Sequence, residues 1–194
     1  MNIRKIFLNP FVVAFLFGIL GLHLIRTIGE RRFPPPPPLV EVPAWQLIDQ
    51  NEKPYGTQQL TGKVVIADFF FTRCPTICPQ LTRSMKEVQK RFLNHGDKAA
   101  FVSISIDPDF DTPSVLREYR SKNETNWIYL TGKKEEILEV VEGKMKLAMG
   151  SAHHVAELVL FDQNGNLRAK FGTDPTSLAA LEKAAKYFIE HPVN

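Results

Sequence analysis

Cys74 and Cys78 are the only cysteines among the 194 residues, and they sit in Phe70-Phe71-Thr72-Arg73-Cys74-Pro75-Thr76-Ile77-Cys78-Pro79. Two thiols four positions apart, between an apolar strand and a helix, form either a chelate for a soft metal ion or a redox couple. As a staple the pair is poor, because a disulfide closing so short a loop removes little entropy from the unfolded chain. Pro79 has no backbone N–H and fits the first turn of a helix, where that donor lacks a partner anyway. This predicts Cys78 at or beside the N-cap and Cys74 one tight turn earlier. Free N–H groups and the positive helix end favour a thiolate there, and Arg73 beside Cys74 adds positive charge. The thiolate is both the nucleophile of disulfide exchange and the form that binds metal.

Two thiolates complete a soft-metal site only with a further ligand, and histidine is the natural donor. Of the five histidines, His23 lies in an apolar N-terminal segment, His95 near a helix end and His191 in the C-terminal tail. His153 and His154, at the start of a later strand, remain as candidates. Their ordinary role on a strand is structural, and on alternating positions the two rings face opposite sides of the sheet.

The elements that position these residues are legible in the pattern. Trp45 to Asp49 reads as a strand running into a turn at Gln50–Pro54. Lys63 to Phe71 is a near-continuous apolar strand, suited to the buried centre of a partly parallel sheet. A helix follows from about Pro79, with Leu81, Met85, Val88 and Phe92 on one face and Gly96 at its stop. Ala100 to Ile106 is a second core strand; Asp111 or Thr112 caps the next helix, with Pro113 at its first position. Trp127–Leu130 is a short third strand and Lys133 to about Met145 a third helix. Val155–Phe161 and Leu167–Phe171 flank the turn Asp162-Gln163-Asn164-Gly165 as a hairpin, and Asp174-Pro175 starts a last amphipathic helix. The expected fold class is therefore α/β and thioredoxin-like, with a central mixed sheet flanked by helices.

The formal charge of +3 is unevenly placed, with +4 in residues 1–32 and about −1 in the rest. The body carries no basic footprint, so no nucleic-acid partner is expected. The N-terminal basic residues flank an apolar run, 6–25, whose length as a helix is roughly 30 Å, the thickness of a bilayer core. No Ala-x-Ala-like cleavage site follows it, which favours an uncleaved transmembrane signal anchor over a removed signal peptide. Arg4 and Lys5 compete with Arg26, Arg31 and Arg32 over its orientation. Pro34–Pro38 forms a semi-rigid polyproline spacer. The expected organisation is a short segment 1–5, an anchor in the lipid bilayer at 6–25, a linker at 26–41 and a folded domain at 42–194.

The stretch Thr72 to Pro79 after an aromatic strand resembles the signature of the Sco (SenC-type) family of copper-binding, thioredoxin-like proteins. Ser105-Ile106-Asp107-Pro108-Asp109-Phe110-Asp111-Thr112-Pro113 resembles a second family motif, and His154 with Gly165 eleven positions later a third. The resemblance covers roughly residues 42–190, and the anchor and spacer agree with it. It implies a copper site of Cys74, Cys78 and His154, the spacing to Gly165 selecting His154 over His153. Relatives often carry Asp before the ligand histidine, where this chain has His153, so no carboxylate from that position orients the imidazole. Asp107 and Asp111 belong to the family pattern as well, with a strand-end turn and a helix cap as their ordinary roles.

Two thiolates and a neutral imidazole suit Cu(I), with Cu(II) as a second state to consider, whereas a closed Zn(II) site wants a fourth ligand that the sequence does not offer. The resemblance implies a copper metallochaperone delivering copper by ligand exchange to the copper site of an assembling cytochrome c oxidase. Its partner would be the copper-containing oxidase subunit or another copper chaperone. This is binding and transfer without substrate turnover. The alternative is a membrane-tethered thiol–disulfide oxidoreductase using Cys74 and Cys78 on partner cysteines, or a redox or copper sensor. Either role places the body outside the cytoplasm, on the periplasmic side of a bacterium or in a mitochondrial intermembrane space.

Overall fold

The structure, a computed structural model, describes residues 10–31, 37–148 and 156–193, with side chains of the first stretch described through Leu22. The chain divides into two units, Met1–Pro37 and Pro38–Asn194, and the division falls inside the proline run. The first unit contains helix α1, Pro10–Arg31. Its Phe11, Phe15, Phe17, Leu20 and Leu22 side chains are exposed. Among the described residues no helix is long and apolar enough to cross a membrane. The expected anchor, 6–25, begins outside the described residues and its last side chains lie outside them too.

The second unit is a seven-stranded mixed sheet in the order β2-β1-β5-β4-β3-β6-β7. Its strands are β1 Gln46–Asp49, β2 Pro54–Gly56, β3 Val64–Phe70, β4 Ala99–Ser105, β5 Ile128–Thr131, β6 Leu158–Phe161 and β7 Leu167–Phe171. β3 pairs parallel with β4, from Val64 opposite Ala99 to Phe70 opposite Ser105, and β4 pairs parallel with β5. β6 and β1 close the flanks antiparallel to β3 and β5. β3 and β4 are central because their residues are apolar on both faces, as strands covered on both sides must be.

The helices are α2 Thr57–Leu60, α3 Ile77–Arg91, α4 Pro113–Lys122, α5 Lys134–Leu138 and α6 Pro175–Glu190. α3 and α6 cover one face: Leu81, Met85, Val88, Leu178, Leu181 and Phe188 form one core with Val64, Ile66 and Phe70 of β3. Ile137, Val140, Val141 and Met145 cover the other face, against Val65, Ala67, Val102 and Ile104. Strand alternation assigns Val64, Ile66, Asp68 and Phe70 to the first face and Val65 and Ala67 to the second.

Several boundaries differ from the sequence reading. The turn after β1 folds back as an extra strand, β2, and Thr57–Leu60 adds a helical turn. The helix expected over Lys133–Met145 is α-helical to Leu138 and then widens into a π-helix at Glu139–Lys144. α3 stops at Arg91, and Gly96, at φ +53°, lies in a following 3₁₀ stretch, Leu93–Lys98. Thr112, not Asp111, caps α4, its Oγ1 accepting from the Val115 N–H at 3.4 Å. Asp174 caps α6 as expected, accepting from the N–H groups of Thr176 and Ser177 at 3.0 Å. Gly165, at φ +81°, takes the left-handed position of the β6–β7 turn, where a side chain would be strained.

Candidate metal centre

The two cysteines occupy the junction between β3 and α3. Phe70, at the end of β3, accepts the Ile106 N–H through its carbonyl at 2.9 Å, fixing β3 against the end of β4. The chain then turns, with the Cys74 N–H donating to the Phe71 carbonyl at 3.2 Å. α3 begins at Ile77 after Thr76, whose side chain makes no capping hydrogen bond. The sulfur of Cys74 takes that place: the Cys78 N–H donates to Cys74 Sγ at 3.4 Å. The short cysteine spacing thus folds the first thiol back over the free N–H groups of the helix it precedes.

The two thiols have opposite environments, although both are free. Cys74 is half-buried, and that burial raises its pKa. Hydrogen bonds from Cys78 and from the N–H groups of Thr76 and Ile77 outweigh it, so the net shift is downward. Cys78 is the second residue of the helix, two positions past the N-cap Thr76, and is 4% exposed, within the core. Burial pushes its thiol up to about 12, aided by the side chain and charge of Cys74 and by the charge of Asp68, against a lowering hydrogen bond from Phe71. The helix terminus therefore favours a thiolate at Cys74 and not at Cys78, a choice that the spacing alone leaves open. Arg73 is also engaged elsewhere. Its Nη2 donates to Asp107 Oδ2 at 2.6 Å, and its guanidinium lies 4.2 Å from the centre of the Phe110 ring.

Behind Cys78 lies Asp68, the one acid in an otherwise apolar strand, 2% exposed. Burial pushes its carboxyl up to about 7, against hydrogen bonds from Ser103 and its own backbone. Oδ1 has no hydrogen-bond partner among the described residues. In the sequence, the signal for Asp68 is a single carboxylate inside the apolar run Lys63–Phe71, which by itself does not mark a site. Tyr119 and Tyr129 complete the surroundings, their rings 5.3 Å and 5.4 Å from Phe70.

The second motif is brought to the same place. Asp111, fully buried, accepts from the Thr72 N–H at 3.0 Å and from Ser105 Oγ at 2.6 Å through Oδ2, and from Thr72 Oγ1 through Oδ1. Ser105 Oγ in turn accepts the Asp107 N–H at 3.1 Å. Among the described residues no group of three or more His, Cys, Asp or Glu side chains converges to hold a metal. His153 and His154 lie outside the described residues, and the described part of the centre is the cysteine pair and its supports.

The comparisons with known proteins point one way. A SCO1/SenC family lipoprotein from Bacillus anthracis has a crystal structure similar to this one, with 31% identity and a TM-score of 0.69 over 80% of this chain and 99% of that one. BsSco, described as a member of the Sco family of cytochrome c oxidase assembly proteins with a disulfide switch, is 25% identical. Its TM-score is 0.70 over 80% of this chain and 97% of that one. Arabidopsis thaliana ScoI, solved with copper bound, is 25% identical with a TM-score of 0.60, over 77% of this chain and 99% of that one. The sequence pattern of the SCO1/SenC family matches residues 36–188, nearly the whole second unit, and the chain belongs to that family.

Proposed function

We propose that this protein is a copper-binding metallochaperone that gives copper by ligand exchange to the copper site of an assembling cytochrome c oxidase. The observation that carries the reading is the pair of free thiols at the start of α3, with Cys74 Sγ within 3.4 Å of the Cys78 nitrogen. Both sulfurs then sit on one turn of chain, as a two-thiolate chelate for a soft ion requires. His154 supplies the third ligand. The copper-bound state of Arabidopsis thaliana ScoI and the oxidase-assembly role described for the family of BsSco support the assignment. Cargo arrives and leaves through Cys74, the more exposed sulfur, while buried Cys78 holds the ion during exchange. The exposed apolar side chains of α1 support a membrane anchor over 6–25, with Pro34–Pro38 as spacer and the body outside the cytoplasm.

A second reading, thiol–disulfide exchange, is favoured by the split between the two thiols. The Cys74 thiolate attacks a partner disulfide to form a mixed disulfide and releases one partner thiolate. Cys78 then loses its proton and displaces the second, so two electrons pass to the partner and Cys74–Cys78 becomes a disulfide. In that oxidised state the chain cannot hold copper as a thiolate complex.

Cu(I) titration of the full chain in detergent against a competing chelator separates the readings. The wild type takes one Cu(I), the His154→Ala variant loses affinity sharply while its thiol exchange persists, and the His153→Ala variant is close to wild type. Unchanged stoichiometric Cu(I) binding by His154→Ala removes that residue from the site.

A further inference from the structure

The turn between β4 and α4 holds both residues that precede Cys74. Asp111 grips Thr72 through backbone and side chain, and Asp107 with Phe110 grips Arg73 from two sides. The two grips are joined, because Ser105 Oγ donates to Asp111 Oδ2 and accepts the Asp107 N–H. Asp111 stands out within this arrangement. It is a carboxylate with no exposed surface and, among the described residues, no cationic partner; its partners are hydroxyl and amide donors, and it neither caps α4 nor reaches the sulfurs. Burying such a group costs several kcal/mol unless its acceptors are well served, so an ordinary turn has no need of it. Its donors come from Ser105 at the end of one core strand and from Thr72 just past the end of the neighbouring one. It therefore ties the cysteine turn to the ends of the two central parallel strands.

We infer that Asp111 is a positioning residue for the thiol pair. It fixes Thr72, two residues before Cys74, so that the Cys74 sulfur stays over the start of α3 beside Cys78. Loss of this clamp frees the 72–76 turn to move Cys74 away from the N–H groups that hold its sulfur, which weakens the chelate and slows exchange. The inference rests on the copper reading for its first readout and is independent of it for the second.

The test uses the full chain in detergent, with Cu(I) competition as one readout and the rate of Cys74 exchange with a small aromatic disulfide at neutral pH as the other. Asp111→Asn keeps the shape but replaces one acceptor by a donor, and about tenfold weaker Cu(I) binding with slower exchange is expected. Thr72→Val removes the Oγ1 contact alone and gives a smaller loss of about threefold. Thr125→Val is the control, since it deletes a buried hydroxyl contact to Tyr129 away from the turn and costs stability without touching either readout. Folded Asp111→Asn and Thr72→Val proteins with both readouts at wild-type values overturn the inference. If Asp111→Asn does not fold, Thr72→Val decides alone. If the wild type itself takes no Cu(I), the copper reading falls and the exchange rates still decide for or against the clamp.

Discussion

The two faces of the sheet are made from alternate residues of the same strands, yet they are built for different tasks. The face under α5 is apolar in its centre, with Val65, Ala67, Val102, Ile104 and Leu130 packed on Ile137, Val140 and Met145. The face under α3 and α6 carries the same kind of aliphatic core but admits Asp68, Ser103 and the thiol of Cys78 into it. Each of those groups costs folding free energy when its polar atoms are served incompletely. The contrast separates stability from chemistry within one layer of backbone, and it can be attacked from either side.

The largest effect is expected from Cys78→Ser. It should abolish stoichiometric Cu(I) binding and thiol exchange while lowering stability by only about 1–2 kcal/mol for the buried hydroxyl, as read by Cu(I) titration beside a urea melt. Full oxidase maturation in cells carrying this variant would undo both functional readings. The opposite face should behave in reverse. Leu130→Ala, at a site with no exposed surface, is expected to lower stability by about 3 kcal/mol and leave Cu(I) affinity unaltered. A matching loss of affinity would mean that the two faces are not separable.

Asp68 gives an effect of intermediate size with a defined direction. Its folded-state pKa, about 7, lies above the ordinary 3.8, so the native state holds this proton more tightly than the unfolded chain does. Its burial is best tolerated below the unfolded value, and stability falls as pH rises towards and through 7. Between about pH 5 and pH 8 the native protein should lose roughly 2–3 kcal/mol from this group. Asp68→Asn should flatten that dependence in urea unfolding at the two pH values. An unchanged slope would place the proton elsewhere.

Arg73→Ala is the smallest change. The exposed pair with Asp107 contributes less than about 1 kcal/mol. Because hydrogen bonds from Cys78 and from the N–H groups of Thr76 and Ile77, not the guanidinium, lower the Cys74 thiol, its alkylation rate by iodoacetamide should shift by less than about twofold. A drop of an order of magnitude would restore Arg73 as the group that activates the sulfur.

Much of this was readable from the sequence, and the limits have physical causes. The core strands and the cap at Asp174 follow from local pattern, and the structure reproduces them; between Asp111 and Thr112, which the pattern leaves open, it selects Thr112. β2 was missed because Pro54-Tyr55-Gly56 is too short and too rich in turn formers to show strand alternation. The π-helical widening after Leu138 was missed because periodicity over six residues does not separate α from π geometry. At the site, spacing puts both cysteines at the start of the helix but does not say which sulfur takes the favourable end. Which sulfur lies over the N–H groups depends on how the 72–76 turn folds back, and that is set by Asp111, 39 positions away. Asp68 was passed over because a buried acid has the same one-letter appearance as an exposed one.

The short bridge between Val40 and Leu167 has a consequence for behaviour in crowded solution. β7 ends the sheet, and an open edge is a template for pairing with another chain. Here the segment leading into the domain lies along it, with the Leu39 N–H on the Leu167 carbonyl at 2.8 Å and the Leu167 N–H on Val40 at 2.9 Å. Lys170 lies exposed further along the same strand, and the opposite edge is a three-residue strand that begins with proline. Trimming the chain past Val40 would strip this cover and leave Leu167 free to recruit a second molecule. The segment that leads into the domain is therefore also a guard against self-association.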